Sequence, residues 1–315
     1  MKIVLLDAGT LGEVPNFSLL DDLGEVQSHF HTQPEQVAER IGDAPVVITN
    51  KVVIGEAVME QCPSLKLICI AATGTNNVDL KAAERLGIAV RNVRDYSTHS
   101  VAQTTFAMLL HLLHSLDYYD RYVRSGAYSA QPLFTHHGPP FWQLAGKRFG
   151  ILGLGAIGRQ VAQIAEGFGC EVVYHSTSGG NLDQPWQHLS LEELLRTVDV
   201  LSIHAPLNLQ TQGLIGYGQL AMMQPQAILL HTSRGGIVVE ADLVKALQDN
   251  CLKAAAVDVF TQEPLPAKHP YLQFEQPGRL LLAPHIAWAG IESRTTLVEK
   301  VAGNIREVVG RGSRE

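Results

Sequence analysis

Short apolar runs rich in valine, isoleucine and leucine recur along the chain, separated by longer segments with apolar residues at helical spacing. That alternation predicts parallel strands joined by crossover helices, an α/β fold. In the first third the predicted strands are KIVLLD from Lys2, PVVITN from Pro45, LKLICIAA from Leu65 and IAVRN from Ile88. Helical segments at Gln33–Ile41 and Leu80–Leu86 lie between them. From Ser100 to Arg124 no proline or glycine interrupts the pattern, which predicts one long connecting helix with Ser97, Thr98 or Ser100 placed to cap it. The segment from Gly126 to Gly146 is irregular and rich in proline, histidine and aromatics. Tyr128, Phe134, Phe141 and Trp142 give it more aromatic area than water favours, so a surface loop and a subunit interface are both open readings. The alternation then restarts with RFGILGLG, EVVYHS, VDVLSIHAP, AILLHTS, AAAVDVF and RLLLAP. A last helix, from about Ile291 to Val309, is expected to return to the first domain and make it discontinuous.

At 315 residues the chain exceeds the usual single-domain size and two domains are expected. Charged residues are 17% and the formal net charge is −7, so no basic field attracts nucleic acid or an anionic membrane, and a small-molecule partner is the better reading. Cys62, Cys69, Cys170 and Cys251 are scattered, without a CxxC pair, which argues against a disulfide framework or a zinc site and fits a reducing cytoplasm. No secretory signal is read at the N-terminus, because Asp7 cuts its apolar stretch short. The stretch FAMLLHLLHSL from Phe106 carries His111 and His114 and falls short of the roughly 18 apolar residues a membrane span needs.

Residues Gly150 to Gly158 read GILGLGAIG and contain G-x-G-x-x-G as Gly153, Gly155 and Gly158. Alone the pattern is weak among 28 glycines; its setting between a strand (RFGIL) and a helix (RQVAQIAEGFG) makes it a dinucleotide loop, whose backbone N–H groups approach a pyrophosphate at the helix N-terminus. An acidic residue that binds the ribose hydroxyls is expected about 20 residues on, at the end of the next strand. That strand ends Tyr174-His175-Ser176, with Ser176 where the acid would stand and no arginine or lysine beside it. NAD and NADP both remain open.

In α/β sheets ligands lie beyond the carboxyl ends of the strands. Three polar residues follow strands there: Arg234 in the turn SRGG, Glu263 in TQEPLP, and His285 after RLLLAP. Individually each has a bland reading, a solvated charge, loop filler, or one of 13 histidines. Jointly they supply a cation for a carboxylate, a proton donor, and an anion that holds the donor protonated, the set that ketone reduction needs.

The glycine loop GLGAIG, the arginine turn HTSRGGIVVEADLVKAL, the segment AVDVFTQEPL and the segment APHIAWA resemble, in order and spacing, the D-isomer-specific 2-hydroxyacid dehydrogenases. ATGTNNVD (Ala72 to Asp79) and SVAQTTFAMLL (Ser100 to Leu110) match that family's N-terminal part, so the likeness covers nearly the whole chain. The resemblance implies two Rossmann-like or flavodoxin-like parallel-sheet domains with an active-site cleft between them, residues 1–98 plus 287–315 for the substrate and 99–286 for NAD(P), usually as a homodimer. It implies Arg234 on the substrate carboxylate and keto oxygen, His285 as acid/base, and Glu263 hydrogen-bonded to it. Backbone N–H groups at Thr73, Gly74 and Thr75 would hold the carboxylate's other side. Thr105, Ala156, Ile157, His175, Ser176, Pro206, Thr232 and Asp258 join the glycines along the dinucleotide, with Asp258 at the nicotinamide amide. No metal is implied.

HIAWA, with Trp288 three residues after the histidine, resembles members acting on hydroxypyruvate and glyoxylate, the D-glycerate dehydrogenases. Trp288 walls the substrate pocket on that reading, or is packing; Asn50 and Lys51, after PVVIT, read the substrate's far end, or are solvated. Phosphoglycerate dehydrogenase is a second reading, disfavoured by the lack of an extra regulatory domain. A formate-type enzyme is disfavoured because that branch has an amide where Glu263 stands. The family's transcriptional co-repressors, which bind the cofactor but act by recruiting proteins, are a third, and no disordered tail here points to them.

Overall fold

The computed structural model describes residues 1–312. They fall into two compact units, Met1–Ser97 with the chain from Ala289 onward, and Thr98–Trp288.

In the first unit, β1 (Lys2–Leu5), β2 (Glu25–Ser28), β3 (Val46–Thr49), β4 (Leu67–Ile70) and β5 (Ala89–Asn92) form a parallel sheet in the order β2-β1-β3-β4-β5. Every residue of β3 and β4 is buried, as their continuous apolar runs require of strands covered on both faces. Strand β2 has no counterpart among the predicted strands: it reads EVQS, is mostly exposed, and is held at the sheet edge by its pairing with β1. Burial could not mark it in the sequence. The C-terminal helix Ile291–Gly312 belongs to this unit and buries Leu297, Val298, Val301, Ala302 and Ile305. Its Asn304 Nδ2 donates to Asn92 O at 3.2 Å and its Lys300 Nζ to Arg94 O at 2.7 Å. The end of the expected substrate domain, residues 313–315, lies outside the described residues.

The second unit holds β6 (Arg148–Leu152), β7 (Glu171–His175), β8 (Gln187–His188), β9 (Val200–Ile203), β10 (Ile228–His231), β11 (Ala254–Val257) and β12 (Leu280–Leu282). They pair in parallel in the order β12-β11-β10-β9-β6-β7-β8. Alternate residues serve two cores: Val200 and Ile228 face the side that packs Phe106, Leu109 and Phe149, and Leu201 and Leu229 face Leu194, Leu243 and Leu247. Strand β8 is two exposed residues, too short and polar to be legible in the sequence.

The single long helix expected from Ser100 to Arg124 is two: α1 (Thr98–His114) and α2 (Leu116–Arg124), broken at Ser115 in the left-handed region, φ 48° and ψ 44°. The two halves have different partners. Helix α1 buries Phe106, Leu109, Leu112 and Leu113 in the core, whereas α2 buries none of its residues and lays its tyrosines on the irregular segment. There the Tyr122 and His136 rings stack at 3.7 Å, Tyr118 Oη lies 2.9 Å from His136 Nε2, and Tyr119 Oη donates to Pro139 O at 3.0 Å. Within that segment Leu133, Phe134 and Phe141 stay exposed.

Trp288, expected in the substrate domain, falls in the second unit. The reason is local: Ala287 donates its N–H to Asp258 and accepts Ser100 Oγ at 2.7 Å, so the chain leaves this unit only after residue 288. Among the described residues no helix is long and apolar enough to cross a membrane, and no three His, Cys, Asp or Glu side chains gather as a metal would need.

Two further helices of the second unit are α3 (Ala156–Gly167) and α4 (Leu191–Thr197). Helix α4 starts with a capping box: Ser190 Oγ accepts the Glu193 N–H at 3.2 Å, and Glu193 Oε2 accepts the Ser190 N–H at 3.0 Å. Ser190→Ala is expected to cost about 1 kcal/mol. Urea unfolding followed by circular dichroism should show the midpoint fall; an unchanged midpoint would mean the box contributes nothing.

Candidate active site

The site in the second unit is built on three successive strand ends. After β10 the chain turns through Ser233-Arg234-Gly235-Gly236. A Cβ on Gly235 would lie 2.0 Å from the Phe260 carbonyl, so the absence of a side chain lets the arginine turn press against the start of the acidic loop. The Arg234 guanidinium donates to Ser233 O at 2.7 Å, and no carboxylate among the described residues forms an ion pair with it. After β11, Glu263 folds back so that Oε1 accepts the Phe260 N–H at 2.9 Å, and Oε2 lies 2.7 Å from His285 Nδ1. The Glu263 side chain is 29% exposed and that of His285 20%, and the pair faces solvent.

His285 itself is a non-glycine residue in the left-handed region, φ 55°, a conformation that is held by its surroundings. Its N–H donates to Asp258 O at 2.8 Å. The Asp258 carboxylate, 1% exposed, accepts the next two N–H groups, Ile286 at 2.8 Å and Ala287 at 2.9 Å. Burial pushes the Asp258 carboxyl above its usual range, those two backbone bonds and His285 pull it back, and Glu263 adds to the rise. Asp258, expected at the nicotinamide amide, thus spends a hydrogen bond from each carboxylate oxygen on the histidine segment.

On the cofactor side the sheet order reverses between β6 and β9, the switch point where such sheets bind ligands. Gly153 follows β6 with φ 93°, and a Cβ there would lie 2.6 Å from Ala205 N; a Cβ on Gly158 would lie 2.4 Å from Gly153 O. Gly155 caps α3, and a side chain on it would meet nothing within 4 Å. The loop is packed tight below and open at the helix start, which fits a dinucleotide pyrophosphate on the free N–H groups of α3. Ala156 and Ile157 begin that helix, and Pro206, whose carbonyl accepts Thr211 Oγ1 at 2.6 Å, follows β9. Thr105 is fully buried, its Oγ1 3.2 Å from Thr232 Oγ1 and 2.8 Å from Val101 O. His175 Nδ1 lies 2.9 Å from Leu189 O, and Ser176 Oγ donates to Gly180 O; with Ser176 at 7% exposure, this closes the loop where a ribose acid was missing.

The first unit brings the other expected residues together. Thr73 Oγ1 donates to Val93 O at 3.0 Å, and Asn92 Nδ2 to Thr73 O at 2.6 Å, fixing the Thr73–Thr75 segment, with Gly74 between, against β5. Asn50 is 6% exposed and its Nδ2 donates to Thr10 Oγ1 at 3.1 Å; Lys51 beside it is exposed. Trp288 is half-buried in the second unit. Two histidines at strand ends were not singled out by the sequence pattern. Burial pushes His204 down to about 3, with His231 adding to the fall. Burial also lowers His231 to about 4, against a hydrogen bond to the Arg234 backbone that raises it. Both are neutral near pH 7; their only sequence signal was a histidine closing an apolar run, His231 as the last residue of β10 and His204 just past β9.

Residues 106–287 match the family model described as D-isomer specific 2-hydroxyacid dehydrogenase, NAD binding domain. The chain belongs to that family. The hydroxypyruvate reductase of Blautia hydrogenotrophica is 35% identical, covering 98% of this chain and 96% of the relative. The glycerate dehydrogenase of Methylorubrum extorquens is 34% identical over the same shares. The NADPH-dependent glyoxylate/hydroxypyruvate reductase of Sinorhizobium meliloti, solved with NADP and malonate, superposes with a TM-score of 0.81 at 26% identity, covering 97% of this chain and 92% of that one. The protein is therefore an NAD(P)-dependent oxidoreductase.

Gly158→Ala tests the cradle. With a Cβ 2.4 Å from Gly153 O the loop must open, and NADH affinity measured by fluorescence titration should fall by about tenfold or more, the equivalent of one strong hydrogen bond. Unchanged affinity would show that the dinucleotide does not depend on this close approach.

Proposed function

We propose that the protein reduces a small 2-keto acid, hydroxypyruvate or glyoxylate, to the D-2-hydroxy acid. The observation that carries this reading is the dyad of left-handed His285 and Glu263, 2.7 Å apart, on the same sheet edge as the Arg234 turn. Names of the similar proteins above support the choice of acid.

Arg234 binds the substrate carboxylate and polarises the keto oxygen, as a planar guanidinium suits. Backbone N–H groups at Thr73, Gly74 and Thr75 are the second set of carboxylate donors, and Asn50, Lys51 and Trp288 are further substrate-binding residues. Bound reduced nicotinamide supplies hydride. His285, protonated and held by Glu263 through Nδ1, presents Nε2 to the keto oxygen and gives it a proton; in the reverse direction the neutral ring takes it back. Arg234 and the imidazolium oppose the negative charge that grows on that oxygen.

A homodimer and a cytoplasmic location belong to the same reading. Exposed Leu133, Phe134 and Phe141, together with Leu116 and Val123 of the adjoining helix, support the first as an apolar face that a second copy would cover. The free thiols of all four cysteines support the second.

Initial rates of NADH and NADPH oxidation at 340 nm test the assignment, with hydroxypyruvate and glyoxylate expected to be turned over faster than pyruvate, phosphohydroxypyruvate or 2-ketoisocaproate. No turnover of either small acid would sink it. His285→Ala should lower kcat by about 10²–10⁴-fold, the usual worth of a positioned acid; near-wild-type activity would remove His285 from the mechanism. Glu263→Gln should keep substrate binding yet lower kcat by about tenfold or more, because the amide holds the His285 ring at Nδ1 less firmly than the carboxylate 2.7 Å from it. An unchanged kcat would make Glu263 structural.

A further inference from the structure

The first unit has a switch point of its own. Its order β2-β1-β3-β4-β5 reverses between β1 and β3, and in sheets of this order the crevice beyond those two strand ends is where a ligand binds. Here the crevice is occupied by a side chain of the protein. Asp7, just beyond β1 and 2% exposed, points its carboxylate at three successive backbone N–H groups beyond β3. Asn50 N lies 2.9 and 3.0 Å from its two oxygens, Lys51 N 2.7 Å and Val52 N 3.2 Å from Oδ2. Consecutive N–H groups converging on one point form an anion nest. Such a nest emptied of its anion would leave buried donors unpaired, each at substantial cost.

The held loop is tied to a second one. Asn77, 7% exposed, donates from Nδ2 to Val52 O at 3.0 Å and Asn50 O at 3.5 Å. Its own carbonyl accepts the Ile54 N–H at 2.8 Å, and Val78 N donates to Thr75 O at 3.1 Å. The carboxylate of Asp7 therefore fixes Asn50–Val52, and through Asn77 that loop is continuous with Thr73–Thr75.

Resting on the functional reading above, we propose that Asp7 is a positioning residue for substrate recognition: a built-in anion that fills the nest at Asn50–Val52 and, with Asn77, holds both substrate loops of this unit in register. Asp7, 2% exposed, acts through the loop whose N–H groups its carboxylate holds. Its effect is to fix where the donors of Thr73–Thr75 and the side chain of Lys51 stand, so it acts on ground-state and transition-state binding alike.

Asp7→Asn keeps shape but replaces an acceptor oxygen by an N–H₂ group facing donors. The KM for hydroxypyruvate should rise about tenfold with kcat within about twofold, the mark of lost uniform binding, and the Kd for NADH should stay unchanged. Asp7→Gly empties the nest, and added formate, a free carboxylate of matching size, should restore the lower KM in a saturable way, whereas chloride should not. An unchanged KM in Asp7→Asn, an equal fall of kcat and kcat/KM, or no rescue of Asp7→Gly by formate would each overturn the proposal. Amide hydrogen exchange at Asn50, Lys51 and Val52 separates its failure from failure of the functional reading. If the wild type turns over neither small acid, faster exchange at these amides in Asp7→Asn that reaches Thr75 still upholds the nest, and unchanged exchange overturns it.

Discussion

The Asp258 carboxylate is the constraint on which the catalytic arrangement depends. A histidine with φ 55° lies in a region that costs a non-glycine residue about 1–3 kcal/mol, and it persists because its neighbours over-determine it. Asp258 supplies that excess three times, through its carbonyl to His285 N and through its two oxygens to Ile286 N and Ala287 N. Each bond also fixes a different backbone atom, so the ring can rotate only about its own side-chain torsions. Glu263 then stops that rotation through Nδ1. Strand β11 thus delivers both carboxylates that orient the histidine, one through the backbone and one through the ring.

The same device recurs in the first unit, where Asp7 grips Asn50–Val52. The two sheets treat their switch points in opposite ways. Between β6 and β9 the chain withdraws side chains, so that Gly153 and Gly158 leave the start of α3 open to a phosphate. Between β1 and β3 it inserts one, and the crevice becomes a rigid support for a loop. Both solutions satisfy the same requirement, that N–H groups gathered at a strand end meet an oxygen.

Legibility in the sequence followed burial. Strands β3, β4, β9, β10 and β11 are buried at every position and stood out as apolar runs; β2 and β8 sit at sheet edges, where pairing alone defines a strand and leaves no mark in hydropathy. Arg234, Glu263 and His285 stood out in the sequence as charged or titratable residues in the loops that leave apolar strands, and the structure sets Glu263 against the His285 ring. The break at Ser115 was not readable, since serine is neither a glycine nor a proline and the turn exists to give α2 a different partner. The backbone clamps made by Asp7 and Asp258 were passed over for a different reason. An aspartate that binds backbone N–H groups has partners without residue identity, so nothing in the partner's sequence announces the pair.

Electrostatics then follows from where the carboxylates are spent. A chain of net charge −7 must hold an anionic substrate and an anionic cofactor, and a long-range field of that sign disfavours both. What matters at the site is the residual local charge. Asp7 faces three N–H dipoles and Asp258 two; Glu263 faces one N–H and the His285 ring. Asp7 and Asp258 are each matched by N–H donors fixed in the fold, and the charge of Glu263 is felt at Asp258, whose carboxyl it pushes up. Arg234 has no carboxylate so matched to it among the described residues, and its charge falls off slowly in a partly buried site. Asp258 and Glu263 therefore act as internal clamps in the second unit, as Asp7 does in the first, and the positive groups that the second unit leaves for an anion are the guanidinium and the open start of α3.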